Sequence, residues 1–384
     1  MMQGKEYLMI PGPTPVPPSV MNAMSRPMFG HRSEEFAAMH KDIIGKLQKV
    51  FQTTNDLFVL TNSGTGSMET AVANIVSPGD KVLTLVGGKF GERWSELATA
   101  YKAEVLQEDF AWGTPVDLKK VEEVLNANTD IKVVFATFNE TSTGVLNDIE
   151  GLGKLIAKTP ALFVVDGVSG VGGIEIKTDA WNVDILVTGS QKALMLPPGL
   201  GVISVSSKAW DKIENNTSPR YYFNLVKARK SMEKWNTAYT PAVSLFVGLD
   251  ASLNMMLEEG IDNVYARHKL LRDATRAAIR ALGLELMTED SYASPVITSV
   301  YAPEGIGSDD IRKVLKQDFD ITFAGGQAKL KNKIFRIAHM GFADKMDVLL
   351  AISGLEMALA KVGHKVELGK GVKAAQEVFL GRQK

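Results

Sequence analysis

From residue 57 onward, short apolar runs alternate with amphipathic stretches. The runs are Leu57-Phe-Val-Leu-Thr, Lys81-Val-Leu-Thr-Leu-Val, Val133-Val-Phe-Ala-Thr, Ala161-Leu-Phe-Val-Val-Asp, Ile185-Leu-Val-Thr and Gly201-Val-Ile-Ser-Val. Near-continuous apolar strands separated by helical segments predict a largely parallel sheet covered on both faces, and so an α/β domain. Ahead of them, Phe36, Met39, Ile43, Leu47 and Val50 fall on one stripe of a helix that starts near Ser33. The segment from Pro11-Gly-Pro-Thr-Pro to Pro18 has too few backbone donors for a sheet or helix interior and predicts an extended arm.

After Gly260 the texture changes. A basic helix from Arg267 to Leu282 precedes strand candidates Ser294 to Tyr301, Asp320 to Phe323 and Ile334 to Ala338. Helices Asp309 to Gln317 and Asp344 to Val362 accompany them, a pattern that predicts a small α+β domain. The charged tail after Gly363 reads as a frayed helix. A chain of 384 residues exceeds one ordinary core. The expected division is an arm over 1–25, a large α/β domain over 26–262 and a small α+β domain over 263–384.

Lys plus Arg total 43 and Asp plus Glu 44, a net charge of -1, which gives no reason to expect a nucleic-acid or membrane-surface partner. No apolar stretch approaches the ~18 residues of a membrane span. The start, MMQGKEYLMIPGPTP, lacks a signal-peptide core, and the end, GRQK, is no retention signal, so the cytoplasm is the expected location. The chain has no cysteine, which excludes disulfides, thiolate metal or iron–sulfur ligation and a cysteine nucleophile.

Four sites carry candidate chemistry. Thr61-Asn-Ser-Gly-Thr-Gly-Ser follows an apolar run and opens a helix. Gly64 and Gly66 let backbone N–H groups approach an anion at a helix N-terminus, with Ser63 and Thr65 as hydroxyl donors; a plain serine-capped turn fits the same residues. Asp166 ends an apolar run, where α/β sheets bind ligands, and can hold a cationic ring nitrogen or cap a loop. Lys192, in Thr188-Gly-Ser-Gln-Lys-Ala-Leu, lies between a small polar turn and an apolar segment. Desolvation there would lower its pKa and free the nucleophilic amine. Arg336 alternates with apolar residues in Ile334-Phe-Arg-Ile-Ala and needs an anion, either a substrate carboxylate or a structural acid.

The run around Lys192 with Pro-Pro-Gly-Leu-Gly, the strand ending Val-Val-Asp-Gly-Val-Ser, Asn-Glu-Thr-Ser-Thr-Gly-Val and the early Pro-Gly-Pro-Thr-Pro resemble class V aminotransferases. The likeness spans almost the whole chain and is nearest the alanine–glyoxylate and serine–pyruvate (or serine–glyoxylate) branch. It implies a fold-type I pyridoxal 5'-phosphate enzyme with a seven-stranded large domain, a small C-terminal domain and a homodimer with shared active sites.

By that resemblance Lys192 matches the Schiff-base lysine and Asp166 the partner of the pyridine nitrogen. Ser63, Gly64, Thr65 and Gln191 match phosphate-binding residues. Ser142 matches a serine near the cofactor hydroxyl and substrate, and Phe90 the aromatic stacked on the ring. Some relatives carry tryptophan there, and phenylalanine stacks with less area. Arg336 matches the residue that grips the substrate carboxylate. Tyr239 and Thr240 lie where a neighbouring subunit reaches the phosphate, although Asn236 to Thr240 departs from the tyrosine–histidine run of animal relatives. Gly30-His31-Arg32 looks like a family loop, with a structural role for His31.

The activity so implied is ping-pong transamination between a small amino acid, alanine or serine, and glyoxylate or pyruvate. The alternatives are an aspartate or ureidoglycine donor, a pyridoxal-phosphate lyase, or a non-catalytic subunit of the kind some relatives are labelled as in hydrogenases. A desulfurase needs the cysteine this chain lacks.

Overall fold

The computed structural model describes residues 6–382. Its strands are β1 (Tyr7–Met9), β2 (Asp56–Leu60), β3 (Lys81–Val86), β4 (Glu104–Asp109), β5 (Val133–Thr137), β6 (Asn139–Glu140), β7 (Val145–Leu146), β8 (Leu162–Asp166), β9 (Ile185–Gly189), β10 (Gly201–Val205), β11 (Ile297–Tyr301), β12 (Ile321–Gly325) and β13 (Ile334–Ala338). Seven of them form one sheet in the order β2-β10-β9-β8-β5-β3-β4. β10 runs antiparallel to β2 and β9, and the remaining pairs are parallel.

Burial on both faces explains why the central strands read as unbroken apolar runs. Phe163 and Val165 of β8 join one core with Val134 and Leu186, whereas Leu162 and Val164 join the opposite core with Phe135 and Val187. β4 was not among the runs expected from the sequence. It is the sheet edge, and Glu104-Val-Leu-Gln-Glu-Asp carries the charges that protect an edge from further pairing.

A second sheet has the order β1-β12-β13-β11. The arm expectation is corrected in part here. Tyr7–Met9 pairs in parallel with Ile321–Phe323, and Met9 enters the core formed by Leu271, Phe323, Phe335 and Leu355. Pro18–Met24 is helical, with Pro18 at the first position, where a missing N–H costs nothing. Residues 10–17, between these two elements, are irregular.

The helix expected from Arg267 begins at Ile261 and runs to Ala281. The tail expectation also changes: Lys370–Phe379 is a packed helix with Ala375 fully buried. The buried Glu356 carboxylate anchors its start by accepting from Gly369 N (2.7 Å), Gly371 N (2.8 Å) and Val372 N (3.2 Å). Among the described residues, no helix is long and apolar enough to cross a membrane.

Candidate active site

The carboxyl ends of β8 and β9 deliver Asp166 and the turn carrying Lys192 to one cleft of about 450 Å³, open to solvent. Ser63, Gly64, Thr65, Phe90 and Gln191 line it with them. Residues far apart in sequence thus meet where a parallel sheet presents its ligands.

Lys192 Nζ donates to Pro11 O at 2.5 Å. Burial holds its amine down at about 8; Arg336 and Arg93 act in the same direction, and Asp166 opposes them. Thr14 Oγ1 donates to Lys192 O (2.9 Å) and Thr14 N to Gln191 O (3.2 Å), so the proline-rich segment roofs the lysine turn. Burial pushes the Asp166 carboxyl up to about 6. Its Oδ1 accepts from Val168 N at 2.8 Å, and among the described residues no donor reaches Oδ2.

Ser63 caps the helix Gly64–Ile75, its Oγ accepting from Gly66 N at 3.2 Å. The capped-turn reading and the anion-cradle reading therefore describe one structure, since the cap leaves the earliest N–H groups open. A Cβ on Gly64 would lie 2.9 Å from Val168 Cγ2, so only glycine allows this approach. Gln191 Oε1 is buried without a partner.

Ser142 and Arg336 stand just behind the cleft wall. Ser142 Oγ accepts from Lys89 N (3.0 Å) and donates to Glu140 (2.5 Å). Arg336 donates from Nε (3.0 Å) and Nη2 (2.8 Å) to Gly325 O, and from Nη1 (2.7 Å) to Thr141 O; Thr141 itself lines the cleft. Among the described residues no carboxylate pairs with it, so the structural salt bridge is not what holds it. Burial lowers its pKa to about 10, and it remains a cation at neutral pH.

Tyr239 and Thr240 are not brought to this cleft. They line another pocket, open to solvent, with His40 and Tyr222. Tyr239 stacks on Tyr222 with ring centroids 5.1 Å apart, and its hydroxyl donates to Tyr221 O. His31 is half-buried in the turn before the helix Glu34–Phe51, and Arg32 Nη1 donates to Thr237 O.

Two cleft groups were passed over in the sequence. Arg93 donates to Thr65 Oγ1 at 3.1 Å, lies 5.0 Å from the Phe90 ring centroid and has no carboxylate partner among the described residues. Its spacing of three from Phe90 on one helix face was the available signal. Glu140, just behind the cleft, gave none, because its partners are backbone N–H groups and the hydroxyl of Ser142.

The aminotransferase class-V family profile matches residues 6–341. The chain belongs to the class-V aminotransferases. Over 98% of its length it is 43% identical to the soluble hydrogenase 42 kDa subunit of Anabaena cylindrica, 100% of which is covered. The serine–glyoxylate aminotransferase of Hyphomicrobium methylovorum is 40% identical over 97% of this chain and 94% of its own. The ureidoglycine–glyoxylate aminotransferase of Bacillus subtilis has the same fold, with a TM-score of 0.94, 31% identity and 99% of each chain covered.

Class-V aminotransferases use pyridoxal 5'-phosphate, and the residues of this cleft fit that group. The open helix N-terminus with the Ser63 and Thr65 hydroxyls suits a phosphate. Asp166, with one oxygen free, suits a protonated ring nitrogen. A lysine of lowered pKa suits an aldehyde. Gln191 adds a polar group that the protein leaves unmatched.

Proposed function

We propose that this class-V aminotransferase moves an amino group from alanine or serine to glyoxylate or pyruvate by a ping-pong mechanism. The Arg336 guanidinium carries the reading. Three of its five N–H groups are committed to main-chain carbonyls, which leaves one on each Nη and, among the described residues, no carboxylate to take them. That arrangement suits the carboxylate shared by 2-amino and 2-oxo acids. Glyoxylate as acceptor is supported by the names of the Hyphomicrobium and Bacillus relatives, whose donors differ.

In this reading Lys192 holds the coenzyme covalently, and Asp166 keeps a proton on its ring nitrogen. Ser63, Gly64, Thr65 and Gln191 bind its phosphate, Phe90 stacks on its ring, and Ser142 reaches toward its hydroxyl and the substrate. When bound, the coenzyme supplies the electron sink for loss of the substrate α-proton. Arg336 orients the substrate by its carboxylate. Lys192 Nζ, once released, takes the proton from substrate Cα as general base. The Pro11–Thr14 segment keeps water from the amine. Donor product leaves before acceptor enters.

A cytoplasmic homodimer belongs to the same proposal. Tyr239 and Thr240 stand away from their own Lys192 cleft beside the exposed Tyr221, a placement that suits service to a neighbour's phosphate.

The test is a panel of alanine, serine, aspartate and ureidoglycine with glyoxylate and pyruvate, following both products, beside a peptide map of borohydride-reduced enzyme. The expected results are turnover with alanine or serine and a coenzyme label on Lys192. Label elsewhere overturns the site, and turnover confined to aspartate or ureidoglycine overturns the donor.

A further inference from the structure

We propose that Glu140 is a positioning residue for transamination, a carboxyl group sealed behind the cleft that sets the Phe90 ring and the Ser142 hydroxyl together. The inference rests on the reading of Phe90 and Ser142 given above. Glu140 is 1% exposed and has no cationic partner within salt-bridge distance among the described residues. Its Oε2 accepts from Phe90 N (3.2 Å) and Gly91 N (3.0 Å), and its Oε1 from Ser142 N (3.1 Å) and Ser142 Oγ (2.5 Å). Every contact comes from a donor. Ser142 Oγ also accepts from Lys89 N. Burial raises the pKa of this carboxyl, against the pull of the Ser142, Gly91 and Phe90 contacts.

The carboxylate also replaces a missing cap. The helix Lys89–Ala100 is preceded by Gly88, which has no side chain to receive its first N–H groups. Glu140 receives them from a different segment, at the positive end of the helix dipole. A Cβ on Gly88 would lie 2.4 Å from Glu140 Cδ and 2.5 Å from Ser142 Oγ, so the glycine makes room for the clamp. Phe90, at the second position of that helix, takes its place in the cleft from this anchor. The adjacent Thr141 carbonyl holds Arg336 Nη1. One short segment therefore fixes an aromatic ring, a hydroxyl and a guanidinium relative to one another.

The experiment compares Glu140→Gln, Glu140→Asp and Gly88→Ala holoenzymes with the parent. Readouts are coenzyme affinity by fluorescence titration, circular dichroism of the bound chromophore, and kcat and KM. Glu140→Gln keeps the size but sets an amide donor against N–H groups. The expected result is a coenzyme label still on Lys192, with kcat down roughly tenfold to a hundredfold, as for a small misplacement of reacting groups. Chromophore dichroism falls by about half or more, coenzyme affinity weakens several-fold, and donor KM moves less than kcat. Glu140→Asp recovers part of each. Gly88→Ala, whose extended backbone accepts alanine, reproduces the defect by displacing the carboxylate without changing its charge. Dichroism and kcat within about twofold of the parent in both Glu140→Gln and Gly88→Ala overturn the proposal. If Glu140→Gln does not fold, Gly88→Ala and Glu140→Asp decide alone. A parent enzyme without a Lys192-linked chromophore would instead sink the reading beneath it.

Discussion

A Cβ on Gly12 would stand 2.7 Å from Lys192 Nζ. Gly12 also has a φ of +131°, a conformation that L side chains rarely adopt. The glycine is what lets the N-terminal segment lie against the amine. Gly12→Ala is expected to weaken coenzyme binding roughly tenfold or more, about 1.4 kcal/mol at least. Fluorescence titration of the coenzyme-free protein checks it, and unchanged affinity would mean that the roof does not matter for coenzyme capture.

If Lys192 captures the coenzyme as proposed, capture is expected to depend on pH through the same amine. Only the neutral form attacks an aldehyde, and Lys192 is held at about 8. Below that value the initial rate should rise about tenfold per pH unit, then level off. Asp166 favours the ammonium form, so Asp166→Asn shifts the inflection to lower pH; Arg93→Met, which removes a repelling cation, shifts it upward. Shifts of the opposite sign would contradict the charge arrangement.

Arg336→Ala is expected to raise KM for amino acid and oxo acid alike by roughly tenfold to a hundredfold, the scale of lost charge-assisted hydrogen bonds. The Lys192-linked chromophore should persist, since Arg336 does not line the coenzyme cleft. Steady-state kinetics with both half-reactions and an absorbance spectrum check this. An effect on one substrate only would argue against a shared carboxylate grip.

Buried histidines give an acid-sensitive fold. His268 Nδ1 donates to Val264 O (2.7 Å) and Nε2 accepts from Gly341 N (2.9 Å), so a second proton would oppose a backbone N–H. Burial lowers its pKa from 6.5 to about 4, and that of His339 to about 3. The unfolded chain therefore binds more protons below pH 6.5. Stability is complete above that value and is lost as pH falls toward the folded pKa values, on the order of 3 kcal/mol for His268. Melting curves from pH 7 to 4.5 should show the decline, and His268→Gln should flatten it.

The legible parts of this protein are those whose burial is two-sided or whose position is local. β5, β8 and β9 are apolar throughout because both faces are covered, and Asp166 and Lys192 were found at their ends. β4 was hidden by its edge position. The helix Lys370–Phe379 was hidden because Glu356, on another element, supplies its cap. Glu140 was hidden for the same kind of reason, with its backbone partner Phe90 50 positions away. Tyr239 and Thr240 lie away from the Lys192 cleft, and the role proposed for them toward a neighbouring subunit depends on an assembly rather than on one chain.

β1 carries a consequence for synthesis on the ribosome. Glu6, beside it, contacts Lys316, 310 positions later, and Tyr7–Met9 rests against β12. Tyr7–Met9 therefore has no sheet to join until β12, some 310 positions further along the chain, has been translated.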